Sequence, residues 1–170
     1  MKTYKESQRF SRTIIFILIP ICILVCGITI GQVGFGHKVG NHPAPDLVNI
    51  LIAGFVCTLN LIFWFAQLQT EISKQGIKYG FKCIISYGGY IPWSEVEKIR
   101  FLRYPSIGEG IRLYSDINAW AYVVDGNDRV GMLIEKKDRK KNILLSTQQI
   151  TALKQFITTV APNGLEVTEG

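Results

Sequence analysis

The amino-acid sequence predicts a two-helix membrane hairpin followed by a small, mainly β domain that ends in a helix. Three observations lead to this fold class. Residues 1–70 contain two long apolar runs, later residues alternate apolar and polar side chains in short stretches, and residues 150–160 carry an apolar stripe with helical spacing. The chain has 170 residues, is 48% hydrophobic and has a positive mean hydropathy of +0.21, a combination too apolar for an ordinary soluble domain of this size.

The second apolar run, residues 47–70, lies between Asp46 and Glu71 and contains neither a charged residue nor a histidine. About 20 apolar residues are needed to cross the hydrocarbon core of a bilayer as a helix. This run is long enough to do so. We therefore predict a transmembrane helix at residues 47–68.

The first apolar run follows a basic tail, in which residues 1–12 hold four Lys or Arg against one Glu. The run is longer than the apolar part of a signal peptide, and no small-x-small cleavage site follows it. We predict an uncleaved helix at residues 13–33 and an external loop at residues 34–46. The loop carries only Lys38 as a firm positive charge, so the positive-inside rule places both termini in the cytoplasm of an inner-membrane, multi-pass protein.

Small residues predict how the two helices pack, because close backbone approach drives helix association in lipid. They recur at a spacing of four residues on each helix, and the predicted packing residues are Gly27, Gly31, Ala53, Gly54 and Cys57. Asn60 is the one strongly polar side chain well inside the second helix. We interpret Asn60 as a contact between helices rather than as part of a transport path.

The alternating stretches predict one cytoplasmic domain at residues 69–164, with residues 165–170 as a tail. Turn-forming residues separate the stretches at 74–76, 87–89, 125–128 and 137–140. The predicted strands number seven, at residues 68–73, 77–86, 97–104, 110–114, 120–124, 129–136 and 141–145.

A helix follows the last predicted strand. Ser146 and Gln149 have the spacing of an S-x-x-Q capping box, in which a hydroxyl and a side-chain amide satisfy the first helical N–H groups. An apolar stripe then recurs on one face until Pro162 and Gly164, at Ile150, Leu153, Ile157 and Val160. This pattern predicts a helix that closes one end of a bent sheet or partial barrel.

Five stretches occur in order along residues 70–160: Ile91-Pro92-Trp93-Ser94-Glu95-Val96, Gly108-Glu109-Gly110-Ile111-Arg112, Ala119-Trp120-Ala121-Tyr122, Val130-Gly131-Met132-Leu133-Ile134 and the helix start Ser146-Thr147. In this order they resemble the bacterial PH-like domains found in small membrane proteins. The resemblance implies a seven-stranded bent sheet capped by a helix, coupled to one or two transmembrane helices. It implies no catalytic residues.

Histidine and cysteine give little sign of catalysis. The two histidines, His37 and His42, both fall in the predicted external loop, away from the folded domain. With Asp46 they offer three ligand types, but a loop rich in Gly and Pro gives little preorganisation, and we predict no metal, cofactor or catalytic residue. Cys22, Cys26 and Cys57 are interpreted as small packing residues of the helices, and Cys83 as a strand residue. No disulfide is predicted on the reducing cytoplasmic side.

Five positive side chains surround one predicted turn, at Lys136, Lys137, Arg139, Lys140 and Lys141. One interpretation is a solvated turn that keeps a sheet edge from aggregating. The other is a binding site for anionic lipid or for a protein partner. Residues 71–170 hold fourteen Lys and Arg against eleven Asp and Glu, a balance too small to favour nucleic acid.

Taken together, the sequence predicts a membrane-anchored binding or assembly module that is not an enzyme. Its predicted partners are the lipid bilayer and an unidentified protein. The alternative from a different class is a small membrane enzyme or a subunit of a transport complex.

Overall fold

A computed structural model of the chain describes residues 3–10, 12–40, 43–82, 87–104, 110–124, 129–138, 141–162 and 164–169. The chain forms two compact units. One contains residues 1–11 together with residues 66–170, and the other contains residues 12–65. The helical unit is therefore inserted in the chain between the first strand of the β domain and the second.

The helical unit is a hairpin of α1 (Arg12–Thr29) and α2 (Asp46–Phe65), with a π-helical segment (Ile30–Gly34) continuing α1. Ile15–Gly34 and Asp46–Phe65 are long and apolar enough to cross a membrane, in agreement with the two helices that the sequence predicts. Only 6% of the first segment and none of the second is buried, unlike the core helix of a soluble protein. Large side chains such as Phe16 and Phe55 are 72% and 64% exposed, so this unit has an apolar outer surface.

The two helices run antiparallel. Near the loop, Gln32 donates from its side-chain amide to the Ala44 carbonyl and to Asp46 Oδ1. Near the opposite end, Asn60 Nδ2 donates to the Leu18 carbonyl at 3.4 Å and to the Val56 carbonyl in its own helix at 3.1 Å. The amide of Asn60 therefore contacts both helices.

The three predicted packing glycines do not contact the opposite helix. A Cβ built on Gly27, Gly31 or Gly54 would meet no other heavy atom within 4 Å. The close backbone approach that their spacing predicts is therefore not provided by these glycines within the hairpin. Side-chain contacts between the helices come instead from thiols, hydroxyls and amides, and Cys57 is among them.

The β domain contains two sheets and one helix. The first sheet is antiparallel throughout, in the order β1-β2-β3-β4, with strands Tyr4–Arg9, Gln67–Ile72, Gly76–Lys82 and Tyr87–Pro92. The second has the order β10-β5-β8-β9-β7-β6, with β5 to β10 at Val96–Arg103, Gly110–Tyr114, Ala119–Val123, Val130–Lys136, Asn142–Thr147 and Glu166–Glu169. A short 3₁₀ turn (Trp93–Glu95) joins the sheets, and α3 (Ile150–Val160) follows β9.

The main core lies between the inner faces of the two sheets and α3. Its fully buried members include Leu68, Ile77, Met132, Leu153 and Ile157, each at most 1% exposed. The predicted helix at residues 150–160 and its buried stripe are thus confirmed. A smaller cluster covers the opposite face of the six-stranded sheet and includes Tyr104, Tyr114, Leu133 and Leu144.

The predicted seven-stranded bent sheet or partial barrel is not confirmed, since the described residues form ten strands in two sheets. Strand β1 lies in the predicted tail, because its inward-facing residues are Glu6 and Gln8 and give no apolar alternation. Tyr87, Gly88 and Gly89, predicted to form a turn, begin β4. The predicted tail at residues 165–170 contains β10, which pairs in parallel with β5.

The capping box also differs from the prediction. Ser146 lies within β9, and its hydroxyl accepts a hydrogen bond from the Val124 N–H at 3.0 Å. Near the helix start, the Gln149 N–H donates to Thr147 Oγ1 at 3.1 Å, and the Gln148 N–H donates to Glu6 Oε1 at 2.7 Å. The N-cap residue Gln149 itself makes no side-chain capping hydrogen bond, so the predicted capping box does not form. The predicted turn at 125–128 and the predicted strand end at 83–86 lie outside the described residues.

Candidate functional site

A buried polar network fixes the position of β1. Glu6 is 6% exposed, and its carboxylate accepts hydrogen bonds from Tyr4 Oη at 2.8 Å, Gln8 Nε2 at 3.0 Å, Thr147 Oγ1 at 2.8 Å and the Gln148 N–H at 2.7 Å. Four donors satisfy a carboxylate that burial would otherwise penalise. Burial, followed by the neighbouring Glu6, raises the pKa of the Tyr4 hydroxyl.

Gln8 extends the same network to β9. Its Nε2 donates to the Ser146 carbonyl at 2.7 Å, and its Oε1 accepts from the Ser146 hydroxyl at 2.9 Å. Because the side chains of a strand alternate between its two faces, fixing Glu6 and Gln8 inward directs Lys5, Ser7 and Arg9 outward. The network therefore sets the chemistry of the outer face of the first sheet.

The outer face is the face turned away from the core, and strand register arranges its side chains in three rows. The first row joins Lys5, Glu71, Lys78 and Tyr90, the second joins Ser7, Gln69, Gly80 and Gly88, and the third joins Arg9, Gln67 and Lys82. A groove of about 700 Å³ lies on this sheet. Members of the first two rows and Lys82 line it, together with Glu6, Thr70, Tyr79, Phe81 and Gly89. This volume is in the range of small-molecule sites.

Glycine forms the floor of the groove. A Cβ on Gly88 would collide with the backbone oxygen of Tyr79 and with the Cα of Gly80. Any other residue at position 88 would therefore push β4 away from β3. The absence of side chains at positions 80 and 88 leaves the backbone accessible between the two basic side chains Lys78 and Lys82.

The outer face is basic. Lys5, Arg9, Lys78 and Lys82 stand against the single acid Glu71 on the paired positions of this face. Lys5 Nζ lies 3.2 Å from Glu71 Oε1, but the two side chains are 70% and 41% exposed, so solvent screens the pair strongly. Within the described part of the chain, the other three basic side chains make no ion pair.

The predicted basic turn is partly engaged with its own domain. Lys136 Nζ is 3.9 Å from Glu95 Oε2, and the Lys136 side chain is only 17% exposed. Lys141 Nζ lies over the Trp120 ring at 4.9 Å from its centroid. Lys137 is exposed, and Arg139 and Lys140 lie outside the described residues.

Three thiols meet inside the helical hairpin. The Sγ atoms of Cys22 and Cys26 are each 3.5 Å from Cys57 Sγ, and all three sulfurs lie within 4.8 Å of one another. Among the described residues this is the one group of His, Cys, Asp and Glu side chains with a metal-ligand arrangement. His42, part of the loop pattern considered in the sequence, lies outside the described residues, and Asp46 accepts a hydrogen bond from Gln32.

Sequence reasoning missed both arrangements, since each depends on distant pairing. The outer face needs β1 to be recognised and set in register with β2, some 60 residues later. The available signal was the spacing of Lys5 with Arg9 and of Lys78 with Lys82, four residues in each case, which places both members of a pair on one face of a strand. Predicting the thiol cluster requires knowledge of which residues of α1 and α2 contact each other.

A comparison with protein-family models finds none that matches the chain, and a comparison with curated proteins likewise finds no match.

Proposed function

We propose that this chain is a membrane-anchored, PH-like binding module whose outer-face groove binds anionic phospholipid headgroups at the cytoplasmic surface of the inner membrane. One observation carries the proposal. Four basic side chains share a face of a sheet whose strands β1 and β2 are joined directly to the two apolar helices. Each Lys or Arg held near an anionic membrane surface contributes about 1 kcal/mol to binding.

The connections to the helices are short. Two residues, Phe10 and Ser11, separate β1 from α1, and Ala66 alone separates α2 from β2. Because each residue spans at most about 3.5 Å, links of this length hold the domain at the bilayer surface once the helices are embedded. Lipid headgroups are then available to the domain at a high local concentration.

The pairing of β1 with β2 supports the orientation. These strands precede and follow the hairpin in the chain, so their pairing requires both ends of the hairpin on the same side of the membrane. The four basic residues of the N-terminal segment, against Lys38 in the loop, favour the cytoplasmic side.

Thiol labelling tests this orientation. In a background with the native cysteines replaced by serine, Gly40→Cys should react with an impermeant maleimide in intact cells, and Asn127→Cys should react only after the cells are broken. Labelling of Asn127→Cys alone in intact cells would show the reverse orientation.

Vesicle binding tests the groove. The chain offers a water-soluble form, because Arg9 and Gln67 are paired antiparallel neighbours. Replacing residues 11–65 by Asn-Gly, a two-residue hairpin turn, joins β1 to β2 without the helices; we call this form the shortcut domain. It should bind vesicles of phosphatidylcholine with added phosphatidylglycerol, and binding should weaken as salt shortens the Debye length below about 10 Å.

A matched pair of variants separates the groove from the basic turn. Changing Lys5, Arg9, Lys78 and Lys82 to Gln removes three Lys and one Arg, and changing Lys137, Arg139, Lys140 and Lys141 to Gln removes the same set. We expect the groove variant to bind about a hundredfold more weakly, since three charges without an ion-pair partner contribute about 3 kcal/mol. We expect the turn variant to stay within about threefold of the parent.

The reverse result, with the larger loss in the turn variant, would move the lipid site to Lys137–Lys141. Equal binding by parent and both variants would refute lipid contact by either surface and leave a protein partner as the ligand.

A further inference from the structure

We propose that Cys22, Cys26 and Cys57 form a binding site for one Cu(I) ion between the two helices of the hairpin. The site is independent of the outer-face groove and of its ligand. It adds metal binding to a chain whose proposed role is otherwise lipid contact.

The geometry fits an ion bound by three sulfurs. With metal–sulfur bonds of about 2.3 Å, the sulfurs of a trigonal site are about 4.0 Å apart. Cys57 Sγ lies 3.5 Å from each of the other two sulfurs, and all three lie within 4.8 Å. An ion at their centre therefore requires shifts of about half an ångström, which side-chain rotation can supply.

The cysteines reach this arrangement from separate parts of the chain. Cys22 and Cys26 are one helical turn apart, so they project from the same face of α1. Cys57 lies on α2 and contacts both of them from the opposite helix. Three of the four cysteines in the sequence thus converge, although packing alone would be served by any small side chain at each position.

The ligand set favours Cu(I) over other metals. Thiolates are soft ligands that select Cu(I), Zn²⁺ and iron–sulfur clusters. Structural Zn²⁺ sites use four protein ligands, whereas this cluster offers three sulfurs and, among the described residues, no His, Asp or Glu joins it. Asn60, the nearest strongly polar side chain along α2, donates its amide to the Leu18 and Val56 carbonyls. Cu(I) is stable with two or three sulfur ligands alone.

The net charge of the complex limits how many of the three thiols are deprotonated when Cu(I) is bound. Binding to two thiolates and one neutral thiol releases two protons and leaves a net charge of −1, whereas three thiolates would leave −2. A charged group between transmembrane helices is costly, so we infer the form with the smaller charge. Binding should therefore tighten as pH rises, because each thiolate formed releases a proton.

Competition for Cu(I) tests the site in the full-length protein, purified in detergent without oxygen and with ascorbate as reductant. Titration against the chromophoric chelator bicinchoninate should show one Cu(I) bound per chain. X-ray absorption of the complex should show a first shell of sulfur alone. Cys22→Ser, Cys26→Ser and Cys57→Ser should each weaken the affinity about tenfold or more, whereas Cys83→Ser, the matched control, should leave it unchanged.

The outcomes are decisive in both directions. An SDS titration of the full chain in bicelles, unchanged in each Ser variant, would show that lost binding is not lost folding of the hairpin. Cu(I) affinity equal in Cys57→Ser and the parent would refute the site. Zn²⁺ bound as tightly as Cu(I), or a first shell containing nitrogen or oxygen, would refute the assignment to Cu(I). A parent that binds no Cu(I) after full reduction would leave the three thiols as packing residues.

Discussion

The helical hairpin and the β domain place their apolar surface in opposite ways. In the β domain the apolar side chains are inside, with Leu68 fully buried. In the hairpin large apolar side chains are outside, with Phe16 72% exposed, and thiol and amide groups make contacts between the helices. Burial of apolar surface therefore stabilises the domain in water, whereas the hairpin leaves outside an apolar surface that a bilayer would cover. The comparison predicts that the domain is the independent unit and the hairpin the dependent one.

The largest expected effect is the separation of the two units. The shortcut domain retains every strand of both sheets, so it should be soluble and show a single cooperative thermal transition with mixed strand and helix signal in circular dichroism. A fragment of residues 71–164 lacks β1, most of β2 and β10, and it loses Glu6 and Gln8 from the buried network. We expect that fragment to remain unfolded. If the two proteins melt alike, β1 and β2 are not part of the stable domain.

The second prediction concerns the buried carboxylate of β1. Glu6→Ala removes the acceptor of four hydrogen bonds and leaves buried donors unsatisfied, so the free energy of unfolding should fall by about 3 kcal/mol. Urea titration of the shortcut domain measures this change.

Its neighbour provides the control. Lys5 lies on the same strand but faces outward, with a 70% exposed side chain, and Lys5→Ala should change stability by less than about 0.5 kcal/mol. A similar loss in both variants would mean that the network does not hold β1 in place.

The third prediction concerns the polar contact inside the hairpin. Asn60→Ala removes the hydrogen bond to the Leu18 carbonyl, and the hairpin should lose about 0.6 kcal/mol of stability in lipid. SDS titration of the full chain in bicelles, followed by fluorescence, measures the loss. Thr58→Ala is the control, since the Thr58 hydroxyl bonds only within its own helix, to the Gly54 carbonyl. A loss of stability as large as that expected for Glu6→Ala would contradict the difference between the hairpin and the β domain.

The smallest effect is a dependence on pH in the β domain. Burial and Glu6 raise the pKa of Tyr4, so the folded state favours the neutral phenol. The stability from this group is complete below the unfolded value of about 10 and is lost as pH rises past it. Between about pH 9 and 11 the shortcut domain should lose more stability than its Tyr4→Phe variant. Parallel pH curves for the two proteins in urea titration would contradict this explanation.

The same contrast explains what the sequence could predict. Both helices were predicted because each contains an apolar run of about 20 residues, which the sequence alone reveals. Strands β2, β3 and β5 to β9 were predicted because apolar side chains recur along each of them between turn-forming residues. Strand β1 was missed because it presents Glu6 and Gln8, whose partners Ser146 and Gln148 follow more than a hundred residues later. The basic face could not be predicted for the same reason, since it exists only after β1 pairs with β2.

The insertion of the hairpin between β1 and β2 sets an order of events during synthesis. Residues 4–9 leave the ribosome first, but their partner strand at residues 67–72 follows only after both helices have been made. The last partner of Glu6, the Gln148 N–H, lies 142 residues downstream. A polar strand with no apolar face can wait in water without aggregating, whereas the apolar helices cannot. In the proposed membrane protein the hairpin would therefore enter the bilayer before the domain closes, and β1 would remain unpaired until β2 has been made.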